Sequence, residues 1–291
     1  MMTLNGFKDS DLPEDFPLNL NDPKVNVDNF VRLMGSTNPT VETYGYFGGH
    51  IFASLDNEKM TPLLGIEGIG VSRFELQKDG SYKAFHREIG FYSDVKTGKY
   101  IDMWDNPLTG DKVEIYHIKN KQVNAELAPV NRMDFDGHMV EVPFPGKWDI
   151  MGDIAVNNFE LHMAHPTIFK KEEWPREYPG PTTKISEMFL RQFKTADLLN
   201  QKLDSIPAQG SWFRVGTWFP WMLMGEAKGE VAFRTHALKL GGIDDIPKRL
   251  LKKIEATDAE HLQAPPASSW GTPNESSINN FIRARKPAPV K

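Results

Sequence analysis

The sequence predicts a mainly β protein, a single large antiparallel β-barrel or strongly curved sheet, lipocalin-like, with a few flanking helices. Three observations lead there. From about residue 41 to residue 142, alternating runs are separated by turns too close together for crossover helices, so neighbouring strands must be antiparallel. More alternating runs follow near residues 154–164, 210–222 and 229–240. Roughly ten such strands curl or close rather than stay flat.

Each element has a local cause. Residues 1–21 carry neither a basic n-region nor an apolar h-region and read as an N-terminal arm, not a signal peptide. Asp22 can cap a first helix in which Pro23 suits the first turn and Val27, Phe30, Val31 and Met34 recur at helical spacing. Asp79-Gly80 marks a hairpin, and Lys96-Thr97-Gly98 and Pro107-Leu108-Thr109-Gly110 mark the next reversals. In 154–164, Phe159, Leu161 and Met163 alternate with Asn158, Glu160 and His162. Three prolines make the stretch from Trp174 to Pro181 a loop. A helix is expected next, with Ile185, Met188, Phe189, Phe193 and Ala196 on one face. Two strands meeting at Gly225 to Gly229 precede a last helix near Asp244, with Pro247 early and Ile246, Leu250, Leu251 and Ile254 aligned. Residues 264–291 are rich in Pro, Ser and Asn and read as an arm on the body. No repeat or linker divides the chain, so residues 22–263 form one domain.

Composition narrows the function classes. The 291 residues carry a net charge of −5, with basic residues scattered, which gives nucleic acid no footprint. The absence of cysteine removes disulfides, thiolate metal sites and thiol nucleophiles, and suits a reducing compartment. No apolar run is long enough to span a membrane as a helix. A cytoplasmic protein without nucleic-acid or membrane partners is expected.

Two blocks carry a family resemblance. The run LLGIEGIGVSRFELQKDGSYKAFHREIGFYSDVKTGKYIDMWDNPLTGDKVEIYHIKN is similar to DUF1838 sequences, as is SWFRVGTWFPWMLMGEAKGE followed by PNESS near residue 273. The resemblance runs from about residue 22 to residue 282 and implies one domain. It departs from the family pattern near Gly110, where this chain has Leu108, and it brings no established catalytic residues.

The candidate site is therefore read from the residues. Gly65 to Gly70 lead into a strand, not a phosphate-binding helix, so no dinucleotide loop is expected there. His162 and His165, three apart on a strand, point to opposite faces and would not share a metal. Trp212, Trp218 and Trp221 lie within ten residues, around a lone Arg214. Alternation puts Trp212, Arg214 and Trp218 on one face, a wall for an aromatic ligand with a cation set between two indoles. Arg234 and His236 share a face on the next strand, and His117 sits among Val113 and Ile115. These place Arg214, His236 and His117 in one polar constellation, with Arg87 a further catalytic candidate. On the face opposite Arg87 lie His86, Glu88 and Tyr92, and one of these two faces must look inward. Tyr44, Tyr46 and His50 share a face and join Trp212, Trp218 and Trp221 as candidate substrate-binding residues.

The function expected from these parts is a cofactor-independent lyase or isomerase acting on a hydrophobic, aromatic or phenolic small molecule. Dehydration, or retro-aldol loss of a small fragment such as formaldehyde, needs a dry pocket, a base and an oxyanion stabiliser. His117 or His236 would be the base and Arg214 the stabiliser, with no cofactor and no metal. The alternative is a lipocalin-like binding protein that carries a hydrophobic ligand unchanged. A third reading makes the Trp-rich segment a homodimer face.

Overall fold

The computed structural model describes residues 12–135, 138–144 and 146–289, with the backbone alone for 131–143. Helix α1 (Pro23–Met34) starts as its sequence predicts. The Asp22 carboxylate accepts from the Lys24 and Val25 N–H groups, and Pro23 occupies the first turn. Val27, Phe30, Val31 and Leu33 are buried along its inner face.

Strands β1 (Thr43–Ser54), β2 (Thr61–Leu76) and β3 (Tyr82–Ser93) form an antiparallel meander. Gly80, at φ +85°, makes the β2–β3 turn that Asp79-Gly80 predicts. Two short hairpins stand apart from the main sheet: β4 (Met103–Asp105) with β5 (Lys112–Glu114), and β8 (Val130–Phe135) with β9 (His138–Pro143). Between them, β6 (Ile118–Asn120) and β7 (Ala125–Leu127) both pair with the outer edge of β3. The second half of the sheet comprises β10 (Lys147–Met151), β11 (Ile154–Pro166), β12 (Thr182–Lys194), β13 (Gln209–Gly216) and β14 (Glu230–Lys239). Helices α2 (Thr195–Leu199), α3 (Lys248–Asp258) and α4 (Ser277–Ala284) complete the fold.

The strand order is β10-β11-β12-β13-β14-β1-β2-β3, with β6 and β7 beyond β3. Among the described residues the outermost strands do not pair, so the expected mainly β, antiparallel architecture is present but the sheet is open there and forms no closed barrel.

Two expected elements differ. Residues 185–194 form strand β12, not a helix. Their apolar spacing fits both periods, but β12 pairs with β11 on one side and β13 on the other. A helix there would leave both partner strands without their ladders, so tertiary pairing overrides helix propensity. The strand expected over 210–222 ends at Gly216, and Pro220–Met222 turn into a short 3-10 helix.

The register sorts side chains onto two faces. Phe47, Gly68, Gly90, Phe233, Trp212, Phe189 and Phe159 lie on one face. That face is concave. β3 and β13 are four strand spacings apart, about 19 Å if the sheet were flat, yet the Arg214 charge on β13 acts on Glu88 and Tyr92 of β3. Glycine permits the curl. A Cβ at Gly68 would lie 2.5 Å from the Phe47 ring and 2.7 Å from Gly90 Cα, so the ring rests on bare backbone.

The resulting trough is stoppered at both ends. At one end α1 contributes to a single cluster with Phe74 and Tyr82 from β2 and β3 and with Trp148, Ala155 and Phe193 from β10 to β12. Phe30 meets Phe144 edge-on at 4.8 Å and Phe159 at 5.3 Å. At the other end Trp104, Trp218, Trp221, Phe169 and Phe281 pack against Ile51, Leu64 and Phe233. The convex face is covered in part by α3, whose Leu250 and Ile254 cover Ile69, Val71, Ile89 and Phe91.

Candidate functional site

Between the two apolar plugs the concave face carries a group of polar and charged side chains beside its aromatic ones. Glu88 and His86 from β3, Arg214 from β13, and Glu187 and Arg191 from β12 all point to this side by register and are half-buried. Glu88 accepts from the Asn120 amide at 2.6 Å. Burial raises the Glu88 carboxyl to about 7. The Asn120 bond and the Arg214 charge oppose that rise, and the Glu187 charge adds to it. His86 bonds the Ser72 hydroxyl at 2.8 Å through Nδ1, and burial lowers it to about 4, so its imidazole is neutral at pH 7. Burial also raises the Tyr92 phenol and brings Arg191 down to about 10.

The Asn120 amide is oriented from outside the sheet. Its Oδ1 accepts from the Ser277 backbone N–H at 2.7 Å and from the Ser277 hydroxyl at 2.9 Å. Ser277 opens α4, which Ser276 caps by accepting from the Asn279 N–H. The PNESS segment therefore has a structural role. Asn274 exchanges hydrogen bonds with the Asn124 backbone, Glu275 bridges to Gln122, and Ser277 fixes the amide that holds Glu88.

The Trp-rich segment divides between trough and core. Trp212 and Arg214 face the trough together, as alternation predicts. Arg214 pairs with Glu187 at 3.3 Å, with side-chain exposures of 22% and 17%. Its guanidinium lies over Phe219 at 5.5 Å and Phe233 at 5.8 Å, which corrects the expected sandwich between two indoles. The strand ends at Gly216, so alternation no longer governs Trp218. That side chain is buried and donates to the Ala227 carbonyl at 3.1 Å. Trp221 is buried against Trp104 and Tyr92. With both rings inside the protomer, Trp218 and Trp221 cannot form a homodimer face.

The expected constellation of Arg214, His236 and His117 is not assembled. Arg214 pairs across with Phe233, whereas His236 pairs with Ser211, so the sheet separates the cation from the imidazole. Both parities were visible within each strand, but only the register links them. His117 lies at the margin, where Nδ1 accepts from the Tyr92 N–H at 3.2 Å and Nε2 meets Asp102 at 3.1 Å. Burial lowers its pKa against the pull of Asp102. With both nitrogens engaged, it is a fastening, not a free base. Arg87 sits on the convex face and donates to the backbone carbonyls of Lys121, Glu260 and Gln263, clamping chain segments in place. Tyr44 is packed beneath α3 with its hydroxyl on the Leu262 carbonyl at 3.0 Å.

Tyr46, His50 and His236 come together elsewhere, in an open groove of about 530 Å³ on the convex face that Trp212 also borders. Glu67 in this groove already accepts from Tyr100 and from Arg249, whose Nε lies at 3.0 Å. This open groove and the perturbed carboxyl thus lie on opposite faces of the sheet. The trough holds the carboxyl with the raised pKa, and the Arg214 charge acts on it there.

Among the described residues, one group has metal-ligand spacing: Asp258, Glu260 and His261. Glu260 is already approached by Lys121 at 3.4 Å and Arg87 at 4.0 Å. Two acids balance two cations there, so a divalent ion would add uncompensated charge. His162 pairs with Glu160 at 3.3 Å, and His165 contacts the Pro166 carbonyl, so the two rings stay apart on β11.

Residue-level reasoning missed Glu88, Asn120 and Glu187 as site residues. For Glu88 a usable signal was present. Its face of β3 is shared with His86 and Tyr92, and the glycines Gly68, Gly70 and Gly90 border the same face. Nothing local announced Asn120, whose partner is 32 residues away in sequence.

A family model described as "Protein of unknown function (DUF1838)" matches residues 41–285. No curated protein matches the chain.

Proposed function

The chain belongs to the DUF1838 family, whose description carries no activity, and from the trough itself we propose a lyase or isomerase that moves protons on a small hydrophobic, aromatic molecule. The observation that carries this reading is Glu88, a half-buried carboxyl raised to about 7 on a concave face that also feels the Arg214 charge. A group with that pKa both takes and returns a proton near neutral pH. Glu88 replaces His117 and His236 as the base. In an isomerisation it takes a proton from one substrate carbon and delivers it to another. Arg214 balances the enolate-like oxyanion formed between the two steps. In a dehydration the abstracted proton leaves with the departing hydroxide as water. Trp212, Phe189 and Phe47 supply flat apolar surface for the substrate body.

The rival is a lipocalin-like carrier in which the same rings hold a ligand unchanged. Two shifted groups facing the trough, Glu88 and His86, favour the enzyme. The test begins with quenching of tryptophan fluorescence by phenolic and aryl carbonyl compounds, with Trp212→Phe as the control. Compounds that quench are then followed for turnover. Turnover that disappears in Glu88→Gln while quenching persists is the expected result. Quenching without turnover in the wild type identifies the carrier and removes the enzyme.

A further inference from the structure

We propose that the convex groove is a second binding site, for a small anion carried on a flat ring. It lies on the opposite face of the sheet from Glu88 and does not depend on the trough reading. The register builds it from two adjacent cross-strand rows. In the first, Gly65, His50, Arg234 and Phe213 stand side by side on β2, β1, β14 and β13. In the second, Glu67, Gly48, His236 and Ser211 do the same. Directly opposed residues lie about 5 Å apart and diagonal ones about 7 to 8 Å apart. Arg234, His50 and His236 therefore present three basic side chains to one small area. At Gly48 a Cβ would meet the Tyr46 hydroxyl at 2.5 Å and the His236 ring at 3.2 Å, so the missing side chain lets both lean inward.

Rings flank two of the three basic groups, Tyr46 beside His236 at 5.7 Å and Phe52 beside His50 at 6.3 Å, but their charge is not balanced by a neighbour. Among the described residues, no carboxylate bonds or pairs with Arg234, His50 or His236. The acids that border the groove are engaged elsewhere. Glu67 is taken by Arg249, Tyr100 and Tyr46, and Asp94 accepts from the N–H groups of Lys96 and Thr97 in its own turn. In a chain of net charge −5, an unpaired arginine between a histidine and a phenylalanine is a place for a ligand anion beside a ring. Phe213, directly opposite Arg234 and half-buried, offers the stacking surface. The groove's volume of about 530 Å³ suits a ligand of that size.

The test follows the His50 and His236 ring signals by NMR during titration with phenyl phosphate, benzoate and inorganic phosphate. It uses the wild type, Arg234→Gln and Glu88→Gln proteins. The expected result is that phenyl phosphate or benzoate shifts both histidines, that Arg234→Gln weakens binding at least tenfold, and that Glu88→Gln leaves it unchanged. The more potent of the two aryl probes shows whether the anion is a phosphate or a carboxylate. Absence of any shift at millimolar concentration overturns the proposal, as does equal binding by Arg234→Gln. Inorganic phosphate that binds as tightly as phenyl phosphate overturns the ring component. Loss of binding in Glu88→Gln returns the site to the trough.

Discussion

Glu88 is where burial, hydrogen bonding and charge meet, and each leaves a measurable trace. A glutamate in an unfolded chain titrates at about 4.3, and burial pushes the Glu88 carboxyl up to about 7 in the native protein. Between those values the native state binds more protons than the unfolded state. Its contribution to stability is therefore full at low pH and is lost as pH rises through 7. The expected loss is about 2 kcal/mol, less than the full linkage value because the group is half-buried. Glu88→Gln stays neutral and escapes that loss. Denaturant unfolding at pH 5 and pH 8 should show the wild type losing about 2 kcal/mol relative to the variant. Parallel pH dependence in the two proteins would mean that Glu88 is ionised at both values.

At the scale of elements, α4 acts on Glu88 through Ser277 and Asn120. The Asn120 bond is the largest influence holding the carboxyl down against burial. Removing it in Asn120→Leu should push the titration of Glu88 further above 7, read as the carbon-13 shift of its carboxyl group. Ser277→Ala leaves the Ser277 N–H bond to Asn120 and removes only the hydroxyl donor, so a smaller shift in the same direction is expected. A merely structural role for Asn120 would lower the melting temperature and leave the titration in place. The β12 element shows how far its segment could be read in advance. Ile185, Phe189 and Phe193 satisfy a two-residue period as well as a helical one, and only the ladders to β11 and β13 decide between them. By contrast α1 was legible because its cap is local. Asp22 accepts from N–H groups two and three residues away, and Pro23 fixes the first turn by its own ring.

For the whole molecule, the trough exists because one helix stoppers a sheet that does not close. Phe30 is the centre of that plug, meeting Phe144, Phe159 and the Arg191 guanidinium at 5.5 Å. Phe30→Ala should cost about 3 to 5 kcal/mol and open that end of the trough. The measurements are a lowered denaturation midpoint and increased binding of a hydrophobic dye. A change below about 1 kcal/mol would show that the other contacts of α1 suffice.

Strand alternation, closely spaced turns and the first helix cap were enough to establish a mainly β, antiparallel chain, because each depends on residues only a few positions apart. The same alternation correctly grouped Trp212 with Arg214, and His86 with Glu88 and Tyr92. It could not say which strands are neighbours, which residue opposes which, or which face is concave. Those depend on pairings such as β1 with β14, nearly two hundred positions apart in the chain. That long-range register set Arg214 and His236 on opposite faces, while the curl of the sheet brought Arg214 within electrostatic reach of Glu88. A two-residue period assigns sides within a strand, and only the packed sheet assigns an inside.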